Sequence, residues 1–288
     1  MQSMFREYRD EFSLPISAIG AVAPRARASE HDIVGSASRP WTARSPKAGI
    51  PTTLPPPRVR ASGQLALAIA SEARRSERRI LLPGVVLVTA WLDDEAQRRL
   101  VADFRRWALP PAGLRHPRMP TGHAMSVQSV CLGWHWRPYL YSRTADDTDG
   151  APVKPMPADL AELGREAVVA AYGESRTARA YAPDAAIVNL YAPEARLGLH
   201  QDGEEPSEAP VVTLSLGDAC VFRMAGVDRR SAPFVDVEMR SGDLLVFGGP
   251  NRRIFHGVTK LFPDTAPDGL GLPPGRLSIT LRETGLTD

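Results

Sequence analysis

The sequence predicts an α+β fold that is mainly β, a double-sheet jelly roll with helices packed on one face. Two segments, residues 93–109 and 158–173, have the apolar spacing of amphipathic helices, and Gly173 ends the second. Beyond them lie about seven short β-rich runs separated by Gly, Pro and Asp. These runs follow one another too closely for helices to fit between them, which excludes a doubly wound α/β fold.

Further strands are predicted ahead of and between the two helices. Residues 80–92 form an apolar, β-branched run that Pro83 and Gly84 interrupt, and we interpret it as strand. Residues 125–134 alternate between polar and apolar side chains, and residues 139–142 are short and aromatic.

Composition limits the class of protein. The 288 residues are 43% hydrophobic and 24% charged, which is ordinary for a soluble globular protein. No apolar run reaches the roughly 18 residues of a membrane span, and the N-terminus has no apolar region of a secretory signal. Two cysteines, Cys131 and Cys220, are too few for a disulfide framework or a Cys-based zinc site. We therefore expect buried thiols and a cytoplasmic location.

The chain divides into a basic extension and a globular domain. Residues 1–76 are rich in Pro, Arg and Ser, show no helical or strand period, and carry 11 Lys+Arg against 6 Asp+Glu. Such a composition predicts disorder, and residues 77–288 are the predicted domain. The extension is open to two interpretations, a polyanion-binding tail or a solvated segment without function.

Three side chains have the pattern of a metal site. His200 and Asp202 are two residues apart on an extended segment, so both side chains point the same way. His256 follows Ile-Phe on a later strand that a jelly roll places opposite. Two imidazoles and one carboxylate are the ligand set of non-haem Fe(II) oxygenases, with positions left free for substrate and dioxygen. A His-x-Asp sequence also occurs by chance, so a second constellation is needed.

The last strand supplies that second constellation. Its even spacing places Arg276, Ser278 and Arg282 on one face, opposite an apolar face that packs against the helices. Two guanidinium groups pointing into the roll require an anion, and a dicarboxylic acid gripped at both ends is the simplest one. Asn189 and Tyr191 share a face of another strand and offer an amide and a phenol to the same acid. The alternative is a surface strand with solvated arginines.

Four segments together resemble the AlkB family of Fe(II)- and 2-oxoglutarate-dependent dioxygenases, bacterial type. They are residues 189–205, 215–224, 241–258 and 276–283, and the resemblance extends over about residues 80–284. It implies a double-stranded β-helix (jelly-roll) core that holds Fe(II), 2-oxoglutarate and O2. The implied iron ligands are His200, Asp202 and His256, and the implied 2-oxoglutarate residues are Asn189, Tyr191, Arg276, Ser278 and Arg282. The family pattern has Asn where this chain has Ser278, which predicts some loss of cosubstrate affinity.

The same resemblance implies a nucleotide-recognition lid at about residues 120–157. In it, Trp134 would stack the damaged base against His200, and the segment from Tyr139 to Tyr141 would contact base and phosphate. The alternative is that these aromatic side chains are core residues under a loop, in which case stacking passes to Trp136 or Tyr139. The substrate residues implied by the resemblance are Trp134, Tyr139, Leu140, Tyr141, Glu204 and Arg229.

The function that the resemblance implies is oxidative demethylation of alkylated nucleobases such as 1-methyladenine and 3-methylcytosine. The reaction is coupled to decarboxylation of 2-oxoglutarate to succinate and CO2, with release of formaldehyde. Expected partners are alkylated single- or double-stranded DNA, with RNA as an alternative, bound by a monomer. A sister oxygenase acting on tRNA, protein or a small molecule remains open. A non-enzymatic metal-binding jelly roll is also open, although Arg276 and Arg282 argue against it.

Overall fold

The computed structural model describes residues 75–287. The predicted basic extension, residues 1–76, lies outside the described residues apart from its last two, so its disorder stays a prediction. Within the described range, no helix is long and apolar enough to span a bilayer.

Thirteen strands and three α-helices make up this part of the chain, with one 3-10 turn at Gly249–Asn251. In chain order they are β1 (Glu77–Leu82), β2 (Val85–Thr89), α1 (Asp94–Trp107), β3 (Gln128–Leu132), β4 (His135–Arg137), β5 (Leu140–Ser142), α2 (Ala158–Tyr172), α3 (Arg176–Arg179), β6 (Ala185–Tyr191), β7 (Leu197–His200), β8 (Val211–Gly217), β9 (Ala219–Met224), β10 (Val235–Met239), β11 (Leu244–Phe247), β12 (His256–Phe262) and β13 (Arg276–Arg282).

The strands form two principal antiparallel sheets. The large sheet has seven strands in the order β1-β2-β11-β8-β13-β6-β3, and the small one has four in the order β10-β9-β12-β7. A separate two-stranded ribbon joins β4 to β5. From β7 to β13 the chain passes back and forth between the two sheets, so strands that are consecutive in sequence mostly lie in different sheets. This is the strand order of a jelly roll, and it confirms the predicted fold.

The helices cover the outer face of the large sheet. Helix α1 begins after Asp93, whose side chain accepts a hydrogen bond from the Ala96 amide at 2.8 Å, and its last turn carries two arginines. Its side chains Val101 and Phe104 pack with Val168 of α2 in one apolar core. Leu277, Leu281 and Ile279 of β13 contribute to that core, so the apolar face of β13 points outward, as predicted.

The second apolar core lies between the two sheets. Leu87, Leu245 and Phe247 of the large sheet pack there with Phe222 and Val258 of the small sheet. Because alternate side chains of β13 point to opposite faces, Arg276, Ser278 and Arg282 project into this interior. All three are buried. The fold therefore places two guanidinium groups in the space that the sheets enclose.

Three details differ from the sequence expectation. The apolar run 80–92 is two strands, because Gly84 turns the chain with a φ of +71° and a Cβ there would lie 2.2 Å from the Gly248 carbonyl oxygen. Strands β4 and β7 and the four-residue helix α3 are additional. Strand β3, inside the predicted lid, is the edge strand of the large sheet, so only the β4–β5 ribbon and the loops beside it stand apart from the sheets.

Candidate active site

Two neighbouring strands of the small sheet bring the predicted histidines together. His200 ends β7 and His256 begins β12, and the two residues pair directly in the antiparallel register. Their ring centroids are 4.5 Å apart. Gly257 permits this close approach, since a Cβ at that position would lie 2.5 Å from the Leu197 carbonyl oxygen. The histidine pair is thus set by backbone pairing.

Asp202 completes a three-residue group two positions beyond the end of β7. Its carboxylate oxygens lie 3.7 Å from Nε2 of His200 and 3.7 Å from Nε2 of His256, and the candidate ligand atoms all lie within 4.8 Å of one another. Nδ1 of each histidine lies 3.0 Å from a backbone carbonyl oxygen, of Gly198 and of Ile254 respectively. Nδ1–H therefore donates to these oxygens, which leaves both Nε2 lone pairs for a metal ion.

The electrostatics of the group suit a divalent cation. Burial by itself would raise the pKa of Asp202, but Arg282 and the two histidines hold it well below its usual range, so the carboxylate is ionised. Burial and the neighbouring His200 lower the pKa of His256 to about 4, which keeps this imidazole neutral at pH 7. Asp202 Oδ2 is buried and has no hydrogen-bond partner. An unpartnered carboxylate oxygen beside two imidazole nitrogens fits a bound Fe(II) ion.

Arg276 forms a second site, where a buried guanidinium group has nitrogen donors without a partner. The side chain is fully buried, and its Nε donates to Ser215 Oγ at 3.0 Å. Nη1 and Nη2 have no hydrogen-bond partner, and the guanidinium carbon lies 5.2 Å from the ring centre of Tyr191. Burial raises the pKa of Tyr191 to about 12, so its hydroxyl is a neutral donor. Two free donors on a buried cation fit one carboxylate of 2-oxoglutarate, bound bidentately.

A row of small polar side chains crosses the large sheet beside Arg276. In register it runs Ser129 (β3), Asn189 (β6), Ser278 (β13) and Ser215 (β8). Asn189 Oδ1 accepts a hydrogen bond from Ser129 Oγ at 2.6 Å. The structure thus brings the predicted Asn189 and Ser278 to one surface with Arg276, as strand alternation requires. Ser215 and Ser129 belong to the same row and were not predicted.

Arg282 occupies a different environment from Arg276. Its Nη2 lies 2.7 Å from Asp202 Oδ1, and its Nη1 donates to Glu205 Oε1 at 2.6 Å and to the Tyr141 hydroxyl at 2.7 Å. Only Nε lacks a partner among its buried nitrogens. Arg282 was predicted to grip the dicarboxylic acid, whereas in this structure it is paired with the metal-site carboxylate and with Glu205.

Glu205 and Arg252 are site residues that sequence reasoning missed. Both are buried, and Arg252 Nη2 lies 3.2 Å from Glu205 Oε2 while Arg252 Nη1 donates to the Asp202 carbonyl at 3.0 Å. Tyr141 donates a hydrogen bond to Glu205, which ties the lid ribbon to this network. No local signal set them apart, because Glu205 stands among other acidic residues such as Glu204 and Arg252 is next to Arg253.

A cleft of about 680 Å³ opens above the metal group. Trp136 and Tyr139 from the lid line it, together with apolar side chains such as Met125 and Phe255. Trp134, predicted to stack on the base, does not line this cleft. Its side chain is only 5% exposed, and its Nε1 donates to Asp184 Oδ2 at 3.1 Å. The tryptophan that faces the cleft is Trp136.

Of the remaining predicted substrate residues, some line the cleft and others do not. Glu204, predicted to contact the substrate, lines the cleft together with His200. Arg230 lines it too, with its guanidinium carbon 5.5 Å from the Phe255 ring centre, whereas the predicted Arg229 is exposed and not part of the lining. Tyr139 is 68% exposed at the cleft mouth, and Leu140 beside it is 45% exposed. Arg196, not predicted, adds a second exposed arginine at the cleft.

Comparisons with known proteins agree with this geometry. The profile of the 2OG-Fe(II) oxygenase superfamily matches residues 84–282. The chain is 36% identical over 225 residues to "DNA N(6)-methyladenine demethylase ALKBH1D" of Arabidopsis thaliana, covering 72% of this chain and 51% of that protein. It is 36% identical over 212 residues to "Alpha-ketoglutarate-dependent dioxygenase AlkB" of Escherichia coli (strain K12), covering 71% and 92%. The solved structure of OsALKBH1 superposes with a TM-score of 0.64 at 32% identity, over 72% of this chain and 100% of that one.

These matches establish the family and the cofactor. The chain spans about half the length of the plant relatives and most of the length of the bacterial one. The superfamily description names Fe(II) and 2-oxoglutarate, which are used with dioxygen, and both fit the unpartnered atoms described above. With the profile covering more than half of its residues and an AlkB relative aligned over nearly its full length, the chain belongs to the AlkB family of Fe(II)- and 2-oxoglutarate-dependent dioxygenases.

Proposed function

We propose that this protein removes methyl groups from the ring or exocyclic nitrogens of nucleobases in a nucleic acid, with 1-methyladenine and 3-methylcytosine as its substrates. The observation that supports this most directly is that His200 and Asp202 of the metal group line an aromatic-lined cleft large enough for one flipped base. When Fe(II) is bound there with 2-oxoglutarate and dioxygen, it supplies the oxidation of the methyl group, and succinate, CO2 and formaldehyde are the products.

The side chains of this protein bind and orient the reactants. Arg276 holds one carboxylate of 2-oxoglutarate through its two unpartnered nitrogens, and the pair of histidines with Asp202 holds the metal on one face. Trp136 and Tyr139 offer aromatic surfaces on which a base stacks, at about 1–3 kcal/mol per base. Arg196 and Arg230 lie at the cleft, where guanidinium groups attract backbone phosphates.

The candidate methylated bases fall into two chemical classes that differ in charge. 1-Methyladenine and 3-methylcytosine are cations at neutral pH, whereas N6-methyladenine, which names the plant relatives, is neutral. Glu204 places a carboxyl group in the cleft beside the metal group. A carboxylate favours a cationic base, so we place the cationic lesions first and N6-methyladenine second.

The test compares three oligonucleotides that differ only in one base: 1-methyladenine, 3-methylcytosine or N6-methyladenine. The purified protein is supplied with Fe(II), 2-oxoglutarate and ascorbate, and conversion of the methylated base to the unmethylated base is followed by mass spectrometry. Faster turnover of the cationic bases, reduced selectively by Glu204→Gln, is the expected result. Preference for N6-methyladenine would favour the second candidate. Succinate formation without demethylation of any oligonucleotide would contradict a nucleobase substrate and favour a sister oxygenase.

Strand type, assembly and location complete the proposal. The cleft is open to solvent on the lid side, which suits alkylated DNA or RNA whose target base is already unpaired. We place the protein in the cytoplasm as a monomer. Free, buried thiols at Cys131 and Cys220 support a reducing compartment, and gel filtration with light scattering tests the monomer.

A further inference from the structure

Four polar side chains, three of them buried, form a hydrogen-bonded group around the main chain of Trp136. They are Arg115, Cys131, His135 and Asp147, and we refer to them as the lid cluster. Asp147 Oδ1 lies 3.0 Å from Arg115 Nε and 2.5 Å from His135 Nε2. Arg115 Nη1 lies 3.6 Å from Cys131 Sγ. None of these residues belongs to the metal group or to the acid site.

The lid cluster holds the main chain of Trp136 at both of its polar atoms. The Trp136 amide donates to Cys131 Sγ at 3.4 Å, and the Trp136 carbonyl oxygen accepts a hydrogen bond from Arg115 Nη2. Arg115 is itself anchored to the edge strand β3, because its Nη1 donates to the Ser129 carbonyl oxygen at 2.9 Å and its own backbone pairs with Ser129. A continuous path of hydrogen bonds therefore leads from the large sheet to Trp136.

The path matters because it is the anchor of β4, whereas Tyr141 ties β5 to Glu205 and Arg282. Strands β4 and β5 are three residues each and, in the described part of the chain, pair only with each other. An isolated two-stranded ribbon is marginally stable in water. The main-chain position of Trp136, and hence the direction of its indole in the cleft, depends on the side chains that hold it.

The charges of the lid cluster reinforce one another. Burial would raise the pKa of Asp147, but the hydrogen bond from His135 and the charge of Arg115 lower it to about 2. Burial opposes ionisation of Cys131 and of His135, yet the pKa of the thiol is lowered and that of the imidazole is raised. The cluster is thus a set of polar groups whose hydrogen bonds to one another fix its geometry.

Two other roles for the lid cluster fit less well. Among the described residues, the metal group of His200 is the one set of His, Cys, Asp and Glu ligand atoms close enough to hold an ion, so the cluster is not a second metal site. Cys131 is 1% exposed, which argues against a nucleophile that meets a substrate.

We infer that the lid cluster is a positioning device for the base slot: Arg115, Asp147, His135 and Cys131 fix the backbone of Trp136 and so orient its indole against the substrate base. This inference rests on the proposed function, because it assigns the stacking surface of that same cleft. Arg115, Asp147, His135 and Cys131 are positioning residues and do not touch the reactants. They determine how well a base is held, and the metal and acid sites do not depend on them.

The first measurement reads the indole directly and does not depend on activity. The chain has five tryptophans, and the indole N–H resonance of Trp136 is assigned in a ¹⁵N spectrum by its loss in Trp136→Phe. Asp147→Asn removes a charge from the lid cluster without changing its size. The Trp136 resonance is expected to shift or broaden in Asp147→Asn, while the resonances of Trp91 and Trp107 stay in place. An unchanged Trp136 resonance would overturn the inference.

The second measurement is a double-mutant cycle on oligonucleotide turnover. Asp147→Asn is expected to raise KM for the methylated oligonucleotide by about tenfold, the worth of one charge-assisted hydrogen bond, with a smaller change in kcat. In a Trp136→Ala background the same substitution should raise KM by less than about twofold, because the group it positions is gone. If the effects of the two substitutions on KM are additive, positioning is refuted. It is also refuted if Asp147→Asn impairs kcat, KM for the oligonucleotide and KM for 2-oxoglutarate equally, because that pattern shows a general structural role.

The chain offers a matched control and a second variant. Asp149 lies in the same loop and accepts hydrogen bonds from the Ala112 and Ala151 amides, with no link to Trp136, so Asp149→Asn should leave the Trp136 resonance and the oligonucleotide KM unchanged. If Asp147→Asn does not fold, Cys131→Ala takes its place, because it removes the acceptor of the Trp136 amide and keeps the Arg115–Asp147 pair. The two proposals can fail separately. If the unchanged protein demethylates no oligonucleotide but the Trp136 resonance still moves in Asp147→Asn, the proposed substrate is refuted and the positioning of Trp136 is supported.

Discussion

The floor and the wall of the cleft are built by different means. The floor carries its functional groups on β6, β7, β12 and β13, and Asp202 just beyond the end of β7. Neighbouring strands pair on the large and small sheets, and backbone register fixes the side chains that lie on them. The wall carries Trp136 on a ribbon of two three-residue strands, held by side chains. Main-chain pairing is tolerant of side-chain substitution, whereas a side-chain network is not. The floor therefore suits chemistry that must not vary, and the wall suits substrate selection.

The floor and the lid cluster differ in how completely their buried polar atoms are paired, although Trp136 Nε1 and Arg137 Nε on the ribbon itself also lack a partner. The floor keeps Asp202 Oδ2 and both terminal nitrogens of Arg276 unpartnered, and each such atom costs about 1–3 kcal/mol until a ligand meets it. In the wall, the carboxylate, thiol and guanidinium of the lid cluster pair with one another or with main chain. The unpartnered atoms of Asp202 and Arg276 thus lie at the positions where metal and cosubstrate fit.

The largest effect is expected at the metal ligands of the floor. His200→Ala and His256→Ala should each abolish succinate formation and demethylation, because two ligands remain where the ion needs three. The fold should persist, since register and not the metal holds β7 and β12 together. Asp202→Ala should abolish turnover too and lower the melting temperature, as it removes the partner of buried Arg282.

The matched control for these variants is His123→Ala, at an exposed histidine that contacts Thr121. Its turnover, measured by succinate yield, should equal that of the unchanged protein. Any ligand variant that keeps near-normal turnover would remove its residue from the metal group.

Arg276→Met should separate stability from cosubstrate binding on the floor. Loss of the bidentate grip is expected to cost about 2–5 kcal/mol of binding, raising KM for 2-oxoglutarate by at least roughly 30-fold. The melting temperature of the ligand-free protein should stay the same or rise, because a buried cation with two unpartnered nitrogens is replaced by an apolar side chain. Thermal melts with and without 2-oxoglutarate, beside steady-state kinetics, measure both.

Arg223→Met is the matched arginine control, since Arg223 pairs with Asp236 on the partly exposed β9–β10 hairpin. Its KM for 2-oxoglutarate should be unchanged. A fall in the stability of Arg276→Met as large as the loss of an ordinary buried salt bridge would mean that Arg276 has a structural partner and is not kept for a ligand.

The same substitution at two tryptophans two residues apart tests the wall. Trp136→Ala should raise KM for the methylated oligonucleotide about five- to 150-fold, the worth of one stacked base, with little change in stability. Trp134→Ala should instead lower the free energy of unfolding by about 3–5 kcal/mol, because that side chain is buried and bonded to Asp184. Oligonucleotide kinetics and denaturant unfolding distinguish the two, and the reverse pattern would return the stacking role to Trp134.

The smallest effect on catalysis is expected from the basic extension. A protein that starts at residue 75 keeps the floor and the wall complete, so kcat on a short methylated oligonucleotide should change by less than about twofold. A salt-dependent loss of affinity for long DNA would support the polyanion-binding interpretation. Loss of folding would show that residues before 75 belong to the domain.

Strand alternation made the floor readable from the amino-acid sequence. Because side chains two apart share a face, Arg276, Ser278 and Arg282 could be placed inside the roll, and Asn189 and Tyr191 beside them. The His-x-Asp pair with a distant histidine likewise needed only an extended segment and an opposing strand. Local periodicity is a property of the backbone, and it holds wherever a strand is paired on both sides.

The surroundings of the lid tryptophans and of Arg282 are set by the tertiary structure and do not follow from local periodicity. Tryptophans 134 and 136 differ by two residues, yet only the contacts of Asp184 and the lid cluster show that one is buried and the other faces the cleft. Arg282 turns to Asp202 and Glu205 because Arg252, 30 residues away in sequence, brings Glu205 to it. The partners of long side chains and of loops depend on which charged groups the rest of the fold brings close to them. That choice depends on distances between remote segments, which no spacing along the sequence encodes.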